Sequence, residues 1–302
     1  MLRAAIDRPS AVDDTTGARI WPYPLADLDL RREITRVLLE RELIDAPVPL
    51  EDLHLAVRED DQKRDENFLS KVSLTFYETD TGFQNVYFRL LQHFAAAVFG
   101  EDVIFQRHPA LRFHFPMRSG ALTKKHRARD GELLWHHSDL IYGHPFEEIN
   151  CWLPLTRCFA SNTLALGSLA KGKETLAGLA EAFAYDDVAF HQRGHERFFA
   201  RLDDDLAYRR AIVDDCRPVV IEPGSLLTFD PRCFHSTLEN HEDKTRVSLD
   251  FRVIPVRAYE RMARVYPELQ GDVTFTKGSF FHPQSTSELK RWEPLSSRRR
   301  AR

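Results

Sequence analysis

Long apolar runs are missing from this 302-residue chain, and no stretch approaches the ~18 uninterrupted apolar residues that a membrane span needs. The start, MLRAAIDRPSAVDDTTG, lacks the basic, apolar and small-residue succession of a secretory leader, so a cytoplasmic location is expected. Cysteine is scarce. Cys151, Cys158, Cys216 and Cys233 form no C-x-x-C pair and no zinc-ligand spacing, and reduced, mostly buried thiols are expected. Internal repeats and low-complexity tracts are absent, which argues against a solenoid or array. Excess charge of either sign is lacking too: 42 Lys and Arg stand against 46 Asp and Glu, a formal net charge of -4. That balance gives no overall pull towards nucleic acid or an acidic membrane. The expected partner is a small-molecule substrate, with the chain acting as a monomer or homodimer.

What is present is ordered along the chain. The first third is helical in character. Leu30, Ile34, Val37 and Leu38 share one face of the run from Leu28 to Ile44, with charges opposite. A second helix is expected from Thr81 to Phe99, with Gly100 placed for a left-handed cap. From about Ile104 the pattern changes to short segments separated by turns. These are Ala110 to Phe115, Leu133 to Tyr142, Glu148 to Leu155, Thr163 to Leu166, Val219 to Glu222, Ser225 to Phe229 and Arg246 to Val253. Strands of this kind suggest an antiparallel barrel or a double-sheet jelly roll, mainly β with flanking helices. We read one domain: mainly helical support over 1–104, the core over 105–257, and a C-terminal extension over 258–302. A charged, helical insertion over 170–217 interrupts the core, and a connection of that length is usually functional or disordered.

The segment WHHSDL sets His137 and Asp139 two residues apart, and on a strand such residues face the same side. A second histidine, His235, follows in GSLLTFDPRCFHST. Two histidines and one carboxylate on one face of a metal leave its other positions open, the ligand set of non-haem iron(II) oxygenases. His136 would point the other way, into packing or towards the ligands from behind. An H-x-D pair by itself recurs by chance. Downstream, Arg246 sits on the next apolar segment with Ser248 at the same parity, a guanidinium and hydroxyl suited to holding a carboxylate. The alternative is a salt bridge from Arg246 to Asp250 or Asp230.

The segments HHSDLIYGHPFEEINCWLPLT and PGSLLTFDPRCFHSTLENHEDKTRVSLDFRV resemble the phytanoyl-CoA dioxygenase superfamily. More narrowly, they are similar to oxygenases of streptomycin-type aminoglycoside gene clusters. The resemblance spans roughly residues 105 to 257. It implies a double-stranded β-helix (cupin-like jelly roll), iron(II), and 2-oxoglutarate and dioxygen as cosubstrates. It implies further that His137, Asp139 and His235 hold the metal and act as the catalytic centre, while Arg246 and Ser248 bind 2-oxoglutarate. Halogenating members of that fold replace the carboxylate ligand with a small residue, so Asp139 favours hydroxylation or a related C–H oxidation. The charged insertion after Leu169 departs from the closer relatives.

Other residues carry two readings each. Asn150 and Trp152 alternate in EINCWLPL and would either bind and wall 2-oxoglutarate or pack the core. Arg112 and His114 share a face of RFHF and would either line a substrate site or form a buried network. Tyr142, His144 and Glu147 follow the metal segment and would sit at the rim, or His144 would be a surface histidine. AFHQRGHERFF, from 189 to 199, would be a lid or a solvated amphipathic helix, and His241 with Glu242 an exposed turn. The expected activity is a 2-oxoglutarate-dependent oxidation of a small polar metabolite such as an amino sugar, aminocyclitol or amino-acid-derived product. A non-catalytic cupin-like binding protein, and a metal-dependent isomerase or hydrolase, are the competing readings.

Overall fold

A computed structural model describes residues 12–58, 75–117, 136–142, 144–182, 198, 200–265 and 276–291. Two antiparallel sheets with flanking helices make up the described part of the chain. Nine strands contribute: β1 (Ala18–Pro22), β2 (Val103–Phe105), β3 (Ala110–His114), β4 (Ile149–Pro154), β5 (Leu164–Leu166), β6 (Arg217–Pro218), β7 (Ser225–Phe229), β8 (His235–Thr237) and β9 (Arg246–Pro255). The larger sheet runs β1-β7-β4-β9-β2, with β3 also paired to β9, and the smaller runs β6-β5-β8.

Strand β9 organises the larger sheet because its sequence alternates cleanly. Val247, Leu249, Phe251 and Val253 are almost fully buried on one face. That face packs under helices α1 (Leu30–Glu40) and α2 (Thr81–Phe94), where the Phe251 ring meets Tyr87 at 5.6 Å and Phe94 at 6.5 Å. Each helix begins where an aspartate replaces the missing backbone acceptor: Asp29 accepts from Arg31 N, and Asp80 from Phe83 N. Arg36 of α1 then bonds both oxygens of Asp80, tying one helix to the cap of the other. The expected second helix runs as an α-helix to Phe94 and continues as a π-helical turn over Ala95–Phe99. Gly100 closes it at φ 67°, a left-handed conformation that costs a residue with a Cβ more than glycine.

Strand β1 lies within the part expected to be helical. ARIWP has no clean alternation and, among the described residues, sits at a sheet edge, paired only to β7. A second correction concerns Leu133 to Tyr142. Residues 133–135 lie outside the described residues, His137 forms an isolated bridge to His235, and Asp139–Tyr142 is a 3-10 helix. The ladder stops because Ser138 O accepts from Ile141 N, which turns the chain out of the extended conformation. The 170–217 insertion contributes α3 (Leu169–Ala182) and α4 (Leu206–Val213). Of AFHQRGHERFF only Phe198 is described, stacked on Phe234 at 5.6 Å; the rest lies outside the described residues. The four cysteines are buried and unbridged, and no helix among the described residues is long and apolar enough to cross a membrane.

Besides backbone bonds to the β2 region, the C-terminal segment is held by one carboxylate. Asp102 accepts from the hydroxyls of Ser285, Thr286 and Ser287 and from Ser287 N. Partial burial pushes this carboxyl up, but those donors outweigh it and bring it down to about 2. Because the folded value is depressed, the stabilisation is complete above the unfolded value and is lost as pH falls towards 2. Asp102→Ala should therefore cost about 1–3 kcal/mol and expose residues 276–291 to early proteolysis at neutral pH. Unchanged cleavage would refute the clamp.

Candidate metal centre

The site is built on the polar face of β9. Arg246, Ser248, Asp250 and Arg252 alternate with the core residues, and Arg246, Asp250 and Arg252 line the cavity between the sheets. Register carries the face sideways. Arg112 of β3 lies opposite Ser248, His114 opposite Arg246, Asn150 of β4 opposite Arg252, and Trp152 opposite Asp250. On the far side of β4, Phe229 of β7 lies opposite Asn150.

His137, Asp139 and His235 converge in front of this face. Asp139 Oδ1 lies 3.7 Å from His137 Nε2 and 3.6 Å from His235 Nε2, with the two imidazole centroids 4.4 Å apart. These separations exceed hydrogen bonds and leave room for one ion among the three ligand atoms. His137 and His235 are fixed by reciprocal backbone bonds, His137 N to His235 O and His235 N to His137 O. The ring of His235 is oriented by Nδ1 donating to Cys233 O at 3.2 Å, which leaves Nε2 as the lone-pair nitrogen. Burial lowers the His235 pKa and so favours the neutral imidazole that a metal requires. Burial alone would raise Asp139, yet Arg252, His144 and the two site histidines hold it well below the usual carboxylate range. His136 points away and meets Ser236 Oγ at 3.0 Å.

A cavity of about 60 Å³ opens beside these ligands, walled by His137, His235, Asn150, Trp152, Arg112 and Arg246 among others. Arg246 is 2% exposed, and its guanidinium carbon lies 6.0 Å from the Trp152 ring centre. The carboxylates weighed as its salt-bridge partners are otherwise engaged. Asp230 pairs with Arg232, and Asp250 pairs with Arg112 and Arg252. Both amide atoms of Asn150 and the hydroxyl of Ser248 are buried without a hydrogen-bond partner among the described residues. Buried polar atoms left in this state cost about 1–3 kcal/mol each, a cost that a bound polar group or water would offset.

The remaining candidates are placed as follows. Arg112 lines the cavity while bonded to Asp250. His114 does not line it; its Nε2 meets Leu238 O at 2.9 Å, in the buried network that was its other reading. Tyr142, 43% exposed, sets its ring edge-on to His137 at 5.1 Å. His144 is no surface residue, since Nδ1 meets the fully buried Glu148 at 2.8 Å. His241 is exposed, whereas Glu242 accepts from Ser161. Asp250, considered only as a salt-bridge partner of Arg246, and Arg252 and Glu148 were not singled out as site residues from the sequence. For the first two the signal was there: both share the parity of Arg246 and Ser248.

Fold and site together define a two-sheet protein with three residues that could hold one metal ion beside an interior cavity. No family model matches the chain. The streptomycin biosynthesis protein StrG of Streptomyces griseus is 26% identical over 239 residues, which cover 76% of this chain and 86% of that protein. Among solved structures, HygX from Streptomyces hygroscopicus, with nickel and 2-oxoglutarate bound, aligns over 80% of this chain and 84% of its own at 13% identity and a TM-score of 0.43. EctD from S. alaskensis with bound iron aligns over 85% and 76% at 14% identity and a TM-score of 0.38.

Proposed function

We propose that this chain is an Fe(II)- and 2-oxoglutarate-dependent dioxygenase that oxidises a C–H bond of a small polar metabolite. On this reading the two sheets form the jelly roll expected from the strand pattern. One observation carries the proposal. The cavity walled by two of the three metal-ligand residues is also walled by a buried arginine and by an asparagine whose amide has no partner among the described residues. A mixed imidazole–carboxylate set suits iron(II), and buried donors beside it suit a dicarboxylate cosubstrate.

In this assignment His137, Asp139 and His235 hold the iron. Arg246 and Ser248 take the distal carboxylate of 2-oxoglutarate, Asn150 donates to it, and Trp152 walls its pocket. Bound together, iron, 2-oxoglutarate and dioxygen supply the oxidising power, with succinate and carbon dioxide as coproducts. The protein's share is to orient the keto acid and keep water out of a narrow space. Arg112, which lines the cavity, and Tyr142, edge-on to His137, are assigned to substrate. The similarity to a streptomycin biosynthesis protein favours an aminoglycoside, amino-sugar or amino-acid-derived substrate.

Anaerobic addition of Fe(II) and 2-oxoglutarate should produce a weak visible charge-transfer band. Absence of any band at saturating concentrations would sink the assignment. Succinate release with a matching gain of oxygen or loss of two hydrogens, across a panel of such metabolites, separates oxygenase from isomerase, hydrolase and simple binding protein.

A further inference from the structure

Behind the metal ligands lies a group of charged side chains, most of which the proposed chemistry does not use. Arg252 bonds the outer oxygen of Asp139, Asp250 and Glu148 flank Arg252, and Arg112 and His144 pair with those two carboxylates in turn. Their allocation is informative. Asp250 has Arg112 as its own cation, and Glu148 has His144 at 2.8 Å. Arg252 touches all three carboxylates, but unequally. It gives one hydrogen bond to Asp250 Oδ1, lies 3.6 Å from Glu148, and gives two hydrogen bonds to Asp139.

The form of that last contact matters. A guanidinium usually meets a carboxylate fork to fork, one N–H on each oxygen. Here Nε and an Nη converge on the same atom, Asp139 Oδ2, at 3.1 and 3.0 Å. Oδ1 is left facing the Nε2 atoms of both histidines. Arg252 cannot easily swing to a symmetric fork, because its other Nη is held by Asp250 at 3.0 Å. The side chain is mostly buried, with 15% exposure, so water does little to weaken these bonds.

We infer that Arg252 is a positioning residue that engages the outer oxygen of Asp139 and so restricts it to a single metal bond, reserving a coordination position for the keto acid. This rests on the oxygenase reading above. A carboxylate released from Arg252 could bring both oxygens to one ion and occupy the position that 2-oxoglutarate needs. The alternative role, simple neutralisation of buried carboxylates, predicts an effect on stability and none on ligand geometry.

The test uses the full chain loaded with Co(II) as an anaerobic spectroscopic probe, followed by titration with 2-oxoglutarate. For Arg252→Gln, the Co(II) visible bands should shift before 2-oxoglutarate is added. Affinity for 2-oxoglutarate should fall about tenfold or more, roughly 1.4 kcal/mol or above, while metal stoichiometry stays at one. Arg252→Lys keeps the charge but offers a compact donor that cannot place two N–H groups on Oδ2. It should fold, show the same spectral shift and restore little affinity. It decides the matter alone if the Gln variant does not fold. Unchanged bands and affinity in either folded variant would overturn the inference. If wild-type protein binds Co(II) but never 2-oxoglutarate, the oxygenase reading fails instead, so the two failures are distinguishable.

Discussion

Asp139→Ala should abolish metal-dependent turnover, with a loss of about three orders of magnitude or more, comparable to deletion of a group on which the whole catalytic assembly depends. The variant removes the only carboxylate of the ligand set and leaves His137 and His235 to hold an ion without charge compensation. It should also destabilise the metal-free protein. Asp139 is 2% exposed, and Arg252, itself mostly buried, gives it two hydrogen bonds. Breaking a buried pair from one side typically costs about 3–5 kcal/mol, and the remaining contact to Asp250 should bring this towards the lower figure. Two readouts separate the effects. Chemical denaturation without metal reports the charge imbalance, while the rise in thermal midpoint on adding Ni(II) reports ligation, since an ion that binds only the folded state stabilises it. Wild-type protein should show that rise and Asp139→Ala should not. Asp139→Asn should recover part of the metal-free stability through its amide oxygen, but not the turnover. A normal Ni(II) response in Asp139→Ala would place the metal elsewhere.

The cluster behind Asp139 shows how far the sequence could be read and where it stopped. Period-two alternation in RVSLDFRV predicts a strand with an apolar and a polar face, and β9 has both. Arg246 and Ser248 were legible because a guanidinium and a hydroxyl on one face make chemical sense together. Asp250 and Arg252 share that face, but their partners come from β3, the Asp139 turn and Glu148, and those long-range pairings are set by register between strands. The i, i+2 rule brought His137 and Asp139 to one side although Asp139 is not on a strand. The bridge to His235 fixes the first ligand, and the turn closed by Ser138 O swings the second back beside it. Helix α2 and its Gly100 cap were readable from local chemistry alone, caps being interactions within a few residues. Strand β1 was not. An edge strand with exposed positions carries little hydrophobic pattern, and only its pairing with β7 defines it.

Arg246→Leu should raise the KM for 2-oxoglutarate by about two to three orders of magnitude, with metal affinity nearly unchanged. The size follows from losing a charge-assisted contact to a carboxylate in a desolvated site, worth about 3–4 kcal/mol, at 1.4 kcal/mol per decade. Arg246 is fully enclosed and stands beside Trp152, with Ser248 two residues on presenting a hydroxyl without a partner among the described residues. Arg246→Lys should recover only part of the loss, because an ammonium cannot offer the planar pair of donors. Ser248→Ala should cost less, about 3- to 10-fold, the range of a single hydrogen bond. The decisive comparison changes the cosubstrate as well as the protein. A 2-oxo acid that lacks the distal carboxylate has nothing for Arg246 to hold, so it should serve wild type poorly and serve Arg246→Leu no worse. The two deletions then fail to add, which is the signature of a direct contact between the groups removed. Additive losses would mean that Arg246 supports the cavity without touching the cosubstrate, and the distal carboxylate would have to be held elsewhere in the site.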